Sequence, residues 1–461
     1  MSRGELFDPL FGAAAVGAAL SDRAWITALL DVEAALARAE AELGVIESGH
    51  AAAIDAAAKE LADSTDPAEL GRAAVAGGNP VIPLVGQLRA ACAAAGVPAS
   101  AVHKGATSQD ISDTALMLLA RRAGVLVVTD LQAAADAAAT LARVHRDTSM
   151  AARTLGQQAL PTTFGALAAT WCAGLDRAAG GLTAVLAELP VQFGGAAGTL
   201  AALHPSGLAV AAELAAELGL ADQGIPWHAE RTRIGELAAA LGVAAGAIAK
   251  TTTDIIALAA TEVGEVSEDS PGGSSAMPHK RNAIAAIAAR AAARRVPGLV
   301  ADALGSMDHE LQRAAGAWHA EWETITDLLR VTGGAAHRLA QSLTGLHVHP
   351  EAMARNLAAS KGLLLAERVT GALSAHTDAA REIVTAAATK ENPEIATDPA
   401  ITEYLGADRL RELLDATEYL GHARELVDRM LTDRGGVDRL EARTVPPAAG
   451  DPGPTATEAS S

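Results

Sequence analysis

Apolar positions recur at intervals of three and four along most of this chain, the spacing of one face of an α-helix. The clearest run is Ile234, Leu237, Leu241, Ala244, Ile248, Thr251, Ile255 and Leu258, which traces the seam of a helix bundle. A helix of about thirty-five residues spans roughly 50 Å. That length suits a bundle made by several chains rather than a lone small globule. Trp25, Leu29, Val32 and Leu36 repeat the pattern over 23–44, behind Ser21 as N-cap. Shorter helices are expected at 50–62, 67–75 and 84–95, the last ending at Gly96. Residues 79–83, with Pro80 and Pro83, read as an extended link, because proline disfavours helix in the residue before it. Residues 6–12 hold two Phe and two Leu, which are expected to pin the N-terminus onto the body. Long helices are predicted from 113 to about 346, and shorter ones at 350–359, 363–387, 402–413 and 417–431. The fold class is therefore all-α, divided as 1–112, 113–349 and 350–442. The tail 443–461 carries Pro, Ala, Gly, Thr and Ser without an apolar pattern and is expected to be disordered.

Composition sharpens this picture. The 461 residues suffice for about three domains. Half are hydrophobic but only 2% aromatic, and alanine dominates, so helices are expected to pack closely through small side chains. The net charge of −19, from 36 basic and 55 acidic residues, comes with no basic cluster and argues against nucleic acid as a partner. An anionic small molecule remains compatible, because a local cationic pocket outweighs distant, salt-screened charge. Cys92 and Cys172 sit in Ala-rich helical context and read as buried free thiols. No signal-peptide pattern and no uncharged stretch of about twenty apolar residues is read, so a cytoplasmic protein without a membrane partner is expected.

Candidate chemistry lies in the breaks between helices. Residues 272–282 read Gly-Gly-Ser-Ser-Ala-Met-Pro-His-Lys-Arg-Asn. The glycines and proline forbid a continuous helix. Taken alone the segment reads as a polar surface loop, although it gathers two hydroxyls, an imidazole, two cations and an amide. Residues 103–110 read His-Lys-Gly-Ala-Thr-Ser-Gln-Asp. Thr107, Ser108 and Asp110 there either cap the following helix or offer a carboxylate site at its N-terminus. The glycines of 193–199 make a weak phosphate motif, since no strand precedes them. His347 and His349 lack a third ligand, so no metal is expected. His228-Ala229-Glu230 lacks the cysteine pair of a zinc deaminase. No Gly-x-Ser-x-Gly elbow surrounds Ser274 and Ser275.

In residue order, 272–282 resembles the Gly-Ser-Ser-x-Met-Pro-x-Lys-x-Asn signature of the fumarase/aspartase superfamily. Residues 103–110 and 153–165 resemble its first and second conserved regions, and 193–199 a further loop of the family. The resemblance implies a three-domain all-α fold with a long central helix bundle. It also implies a homotetramer of D2 symmetry in which three subunits complete each site, a di- or tricarboxylate substrate, and no cofactor. It makes Ser274 the residue that exchanges a proton with carbon, with Ser275 and Lys280 beside it as catalytic candidates. A serine does this only if its oxyanion is stabilised by N–H groups and a cation; Lys280 and Arg281 are both candidates for the cation. Substrate contacts are implied for Thr107, Ser108, Gln109, Thr154, Gln157, Met277, Lys280 and Asn282. His103 either joins them or anchors its loop.

The second region departs from the superfamily pattern. Many of its lyases carry Thr-His, and that histidine assists a departing amine or hydroxyl. Here Thr154 is followed by Leu155, and the second histidine of the adenylosuccinate version is Gln158. An amine needs a proton to leave, and leucine has none to give. A carboxylate is already a stable anion near neutral pH. The expected reaction is therefore addition of a carboxylate to an alkene carbon, or its reverse. Nitrite leaves without a proton in the same way, which keeps a nitrosuccinate-type lyase as the rival; an adenylosuccinate-type lyase fits less well. Residues 6–12, 21–36, 78–84, 105–110, 193–199, 226–231 and 316–322 resemble the bacterial cycloisomerases of the superfamily. Residue 283 is Ala where Pro is usual. A non-enzymatic relative of the same scaffold is the remaining reading, and the intact loops speak against it.

Overall fold

A computed structural model describes residues 6–441, apart from 270, 271, 274–276, 278, 279 and 392, with side chains as far as 434. Ser274, Ser275 and the tail expected at 443–461 lie outside the described residues. The architecture is all-α. The only named strands among the described residues form two antiparallel pairs, Ser149–Thr154 with Gln157–Thr163 and Val266–Glu268 with Leu346–Val348. The chain divides into two compact units. One comprises Met1–Ala24, Leu119–Ala187 and Ala229–Leu431; the other comprises Trp25–Leu118, Glu188–His228 and Thr432–Ser461.

The larger unit is a bundle of Phe164–Ala187, Thr232–Leu258, Ile284–Ala293, Val296–Gly305 and Ala317–Thr344, packed on one another. All eight seam positions from Ile234 to Leu258 are buried. Their helix has 27 residues, shorter than the expected thirty-five. By length and composition it would pass for a membrane span, but it carries Lys250 and three glycines, so no uncharged, unbroken stretch of about twenty apolar residues runs through it. Its apolar side is nevertheless packed inside the bundle. Within the larger unit a buried ionic cluster ties Arg231 to Glu321. Arg231 donates to Glu321 at 2.5–3.1 Å, and His309 Nε2 lies 3.2 Å from the same carboxylate, with all three side chains fully buried. From Pro350 to Leu413 the helices are short, and Val369, Leu373, Val384, Ile395, Ile401, Leu410 and Leu413 form a core there; a longer helix, Ala423–Glu441, follows. The helix expected over 363–387 is broken in two, Ala366–Leu373 and Ala380–Ala388.

The N-terminal segment is held differently from expectation. Leu6, Phe7 and Leu10 are exposed. The backbone does the holding instead. Arg338 donates to the carbonyls of Pro9 and Leu10, and Gly334 lets the chain approach so closely that a Cβ there would sit 1.9 Å from the Phe11 carbonyl oxygen.

The smaller unit holds Ser48–Ser64, Pro67–Gly77, Val81–Ala94, Gly207–Leu218, most of Asp22–Glu42 and the first turns of Ser108–Val144, with Val81–Ala94 packed on both Ser48–Ser64 and Pro67–Gly77. Residues 79–83 are not wholly extended. The Asn79 side chain accepts from the N–H groups of Val81 and Ile82 and starts a helix there. Pro83 falls in the first turn, where a missing N–H costs nothing.

Candidate active site

In the smaller unit the segment 103–110 becomes the entry to a 37-residue helix, Ser108–Val144. Thr107 stands just before it, and its N–H donates to Asp110 Oδ2 at 2.9 Å, the reciprocal contact of a capping box. Asp110 does much more than cap. It is fully buried and also accepts from the N–H groups of Gly194 (2.8 Å) and Gly195 (2.9 Å) and lies 2.7 Å from His228 Nε2. One carboxylate thus fastens the glycine loop 193–199 to the helix start. The two loops touch at glycines. Gly105 and Gly195 both have left-handed φ, of 70°, and a Cβ on Gly195 would lie 2.8 Å from the Gly105 carbonyl oxygen. The segment leading into the loop is clamped by side-chain amides. Gln223 brackets the backbone of Phe193 with two 2.6 Å bonds, and Gln192 Oε1 accepts from the Trp227 N–H.

This scaffold leaves the Thr107 and Ser108 side chains half-buried at a helix N-terminus, where free N–H groups and the helix dipole favour an anion. Gln109 turns the other way. It is fully buried, and its Nε2 donates to Asp113 and to the His228 carbonyl. His103 has φ of 60° and places Nδ1 2.6 Å from Glu33 Oε1. Burial works to lower its pKa, and the Glu33 carboxylate, by charge and hydrogen bond, more than reverses this, so the net shift is upward.

In the larger unit, residues 149–163 form a hairpin whose two-residue turn is Leu155-Gly156, both left-handed at φ 51° and 80°. Thr154 and Gln157 close the turn as a register pair. Leu155 is fully exposed, and Thr154, Gln157 and Gln158 are exposed beside it. The hairpin is anchored directly behind its turn. Arg153 makes a two-pronged bond to the buried Glu265 at 2.9 and 2.7 Å, and Asn356 donates to the same carboxylate at 2.7 Å.

The 272–282 segment is gripped at its neck. Gly272 and Asn282 exchange both backbone hydrogen bonds at 3.0 Å, and Asn282 Nδ2 donates to the Gly272 carbonyl at 3.1 Å. Below the neck, Glu268 accepts from the N–H groups of Ala285 and Ala286 and from Ser342 Oγ. It caps the helix Ile284–Ala293 from across the loop and so fixes where both ends of the loop emerge. Met277, Lys280 and Arg281 are exposed on the segment. His347 and His349 are engaged by Asp269 and Ser267 Oγ. Among the described residues no group of three His, Cys, Asp or Glu side chains is placed to hold a metal.

A family model described as a lyase matches residues 7–298. The chain is 44% identical to a nitrosuccinate lyase of Streptomyces davaonensis over 94% of its length and 95% of that protein's. It is 43% identical to a 3-carboxy-cis,cis-muconate cycloisomerase of Pseudomonas aeruginosa, covering 93% and 96%. The crystal structure of 3-carboxy-cis,cis-muconate lactonizing enzyme from Pseudomonas putida superposes with a TM-score of 0.89 at 39% identity, over 94% of this chain and all of that one.

The chain belongs to the lyase family of the fumarase/aspartase superfamily. It is an enzyme of that superfamily. The lyase-family segments found in the sequence fall on three scaffolds: a helix start with His103, Thr107 and Ser108, a hairpin tip with Thr154 and Gln157, and a loop with Met277, Lys280 and Asn282. The first lies in one compact unit and the other two in the other. The residues that build these scaffolds, Glu33, Asp110, His228, Glu265 and Glu268, were not singled out as site residues by the sequence. Glu33 carried a visible signal, a carboxylate one turn from Leu29 on an apolar helix face, and Asp110 was readable only as a cap.

Glu40 lies seven residues after Glu33 on the same helix, buried, with neither carboxylate oxygen hydrogen-bonded. Burial pushes its pKa up to about 8, Lys104 pulls it down and Glu33 pushes it up again. The unfolded carboxyl releases its proton near 4.5 and the folded one near 8. Its cost to stability is therefore absent below pH 4.5 and grows as pH rises toward 8, reaching roughly 3 kcal/mol at pH 7. Glu40→Met is expected to raise the melting temperature, and by more at pH 8 than at pH 5. An equal gain at both pH values would show that Glu40 does not titrate this way.

Proposed function

We propose that this enzyme is a 3-carboxy-cis,cis-muconate cycloisomerase, closing its substrate to 4-carboxymuconolactone in protocatechuate catabolism. One substrate carboxylate forms the new C–O bond to an alkene carbon. The neighbouring carbon gains a proton, delivered through Ser274; the reverse reaction returns it. The developing charge is enolate-like and needs fixed donors, each worth about 3–4 kcal/mol by analogy with oxyanion holes. Thr107, Ser108, Thr154, Gln157, Lys280 and Asn282 supply them, with Ser275 supporting the loop. The site is completed in a homotetramer, each chain contributing different scaffolds.

The observation that carries this reading is Leu155. The hairpin tip that bears it is exposed and anchored just behind the turn by the Arg153–Glu265 pair, yet it presents an alkyl group. No proton can come from there, so the group on the oxygen side of the reaction must be an anion that is stable without one. Relatives named as cycloisomerases at 37–43% identity support the same choice. The 44% identity to a nitrosuccinate lyase favours a second reading on the same logic, because nitrite also leaves unprotonated. The purified protein, assayed side by side with 3-carboxy-cis,cis-muconate, nitrosuccinate and adenylosuccinate, is expected to turn over the first fastest. Preference for nitrosuccinate would establish the second reading. Turnover of adenylosuccinate at a comparable rate would overturn the leaving-group argument altogether.

A further inference from the structure

Glu33 has no place in the chemistry above, yet its position is hard to explain as packing. It sits in the middle of Asp22–Glu42, 3% exposed, among Leu29, Leu30, Val32 and Leu36. Oε1 is 2.6 Å from His103 Nδ1, and Oε2 has no hydrogen-bond partner among the described residues. A carboxylate is retained in such a place at a cost, unless the group it holds repays that cost in function. That group is the first residue of the 103–110 segment. His103 adopts a left-handed backbone, uncommon for a residue with a Cβ, and its ring is 13% exposed. One ring nitrogen, Nδ1, is spent on Glu33, which leaves Nε2 to meet a second partner. Four residues on, Thr107 and Ser108 open the helix.

We propose that Glu33 is a positioning residue, which holds His103 as an imidazolium with Nε2–H presented to a substrate carboxylate at the Ser108 helix start. The inference rests on the reading that this helix start receives a carboxylate. A neutral imidazole bonded through Nδ1–H would present a lone pair at Nε2 and repel the same anion. The carboxylate partner therefore sets the sign of what the loop offers. The charged groups around the ring are Glu33 from its own helix, Arg89 from Val81–Ala94 and Asp110 from Ser108–Val144. Lys104 is the next residue along and donates to the Val45 carbonyl. Arg89 opposes the imidazolium, Asp110 favours it, and Glu33 is the larger contributor of its sign.

Two measurements test this on the full-length protein. Deuterium exchange at the imidazole carbon between the nitrogens, followed by mass spectrometry across pH, reads the protonation midpoint of His103 without reference to activity. Steady-state kinetics with 3-carboxy-cis,cis-muconate read the consequence. In Glu33→Gln the midpoint is expected to fall by about one pH unit or more, a tenfold change in protonation. Because the wild-type ring is charged below its raised midpoint, KM should rise as pH increases through it, and in E33Q that rise should begin correspondingly earlier. At pH 7.5 KM is expected to increase at least about fivefold while kcat stays within about twofold. In the His103→Gln background E33Q should add nothing further. An unmoved midpoint overturns the proposal, as does a kcat loss with KM unchanged, or an E33Q effect that persists without His103. If the wild type turns over none of the candidate substrates, the functional reading fails, and the exchange midpoint alone then decides whether Glu33 holds the ring charged.

Discussion

Ser274→Ala is expected to lower turnover of 3-carboxy-cis,cis-muconate by about a hundredfold or more, with a much smaller change in KM. A group that moves a proton only in the transition state contributes to kcat and little to ground-state binding. The hundredfold figure follows from the removal of one preorganised contact at an oxyanion, about 3 kcal/mol. Ser275→Ala, one residue on, should cost far less if its role is to support the loop. Rapid-quench or steady-state assays of both variants separate the two serines. A near-normal rate in the Ser274 variant would remove that residue from the chemistry, and an equal loss in both would mean that the loop, not one hydroxyl, had been damaged.

Asp110→Ala should destabilise the protein by about 3–5 kcal/mol, the range found when one partner of a buried charged contact is removed. Removing the carboxylate strands the N–H groups of Thr107, Gly194 and Gly195 and the ring of His228. Each buried donor left without an acceptor costs about 1–3 kcal/mol. Asp110→Asn keeps one acceptor oxygen and should fall between this variant and the wild type. Urea unfolding of the three proteins checks the order. A loss below about 1 kcal/mol for the alanine variant would mean that water or a rearranged glycine loop replaces the contact. Activity should fall with stability here, because the same carboxylate joins the glycine loop to the helix start.

Much of the helical fold was legible in the residue pattern because alanine-rich helices bury a narrow stripe with a fixed period. The seam from Ile234 to Leu258 is buried at every position read from the sequence. The hairpin at 149–163 was not legible, for a definite reason. A two-residue turn with both residues left-handed is normally announced by Asn-Gly or Asp-Gly, and here the first of the pair is leucine, with a strand bulge between Ala151 and Arg153 disturbing the alternation. The roles within 103–110 were half legible. Capping and anion binding were both readable from the local sequence, but Asp110 reaches residues more than eighty positions away. Gln109 shows the limit of carrying a motif over whole. It belongs to the family segment, yet its side-chain Nε2 is committed to Asp113 and the His228 carbonyl. Sequence order places such residues together and says nothing about which way each one faces.

The leucine at the hairpin tip has a wider implication. Its side chain touches so little of its own chain that its identity is almost uncoupled from folding, while the Arg153–Glu265–Asn356 foundation beneath it holds the finger in place whatever nail it carries. On the proposed role of this position, a change of one letter at the fingertip would retune which bond is broken, and histidine, which tolerates the same backbone twist better than leucine does, would be an easy letter to gain or lose. Diversity of chemistry among relatives with closely matched folds is what such an arrangement permits.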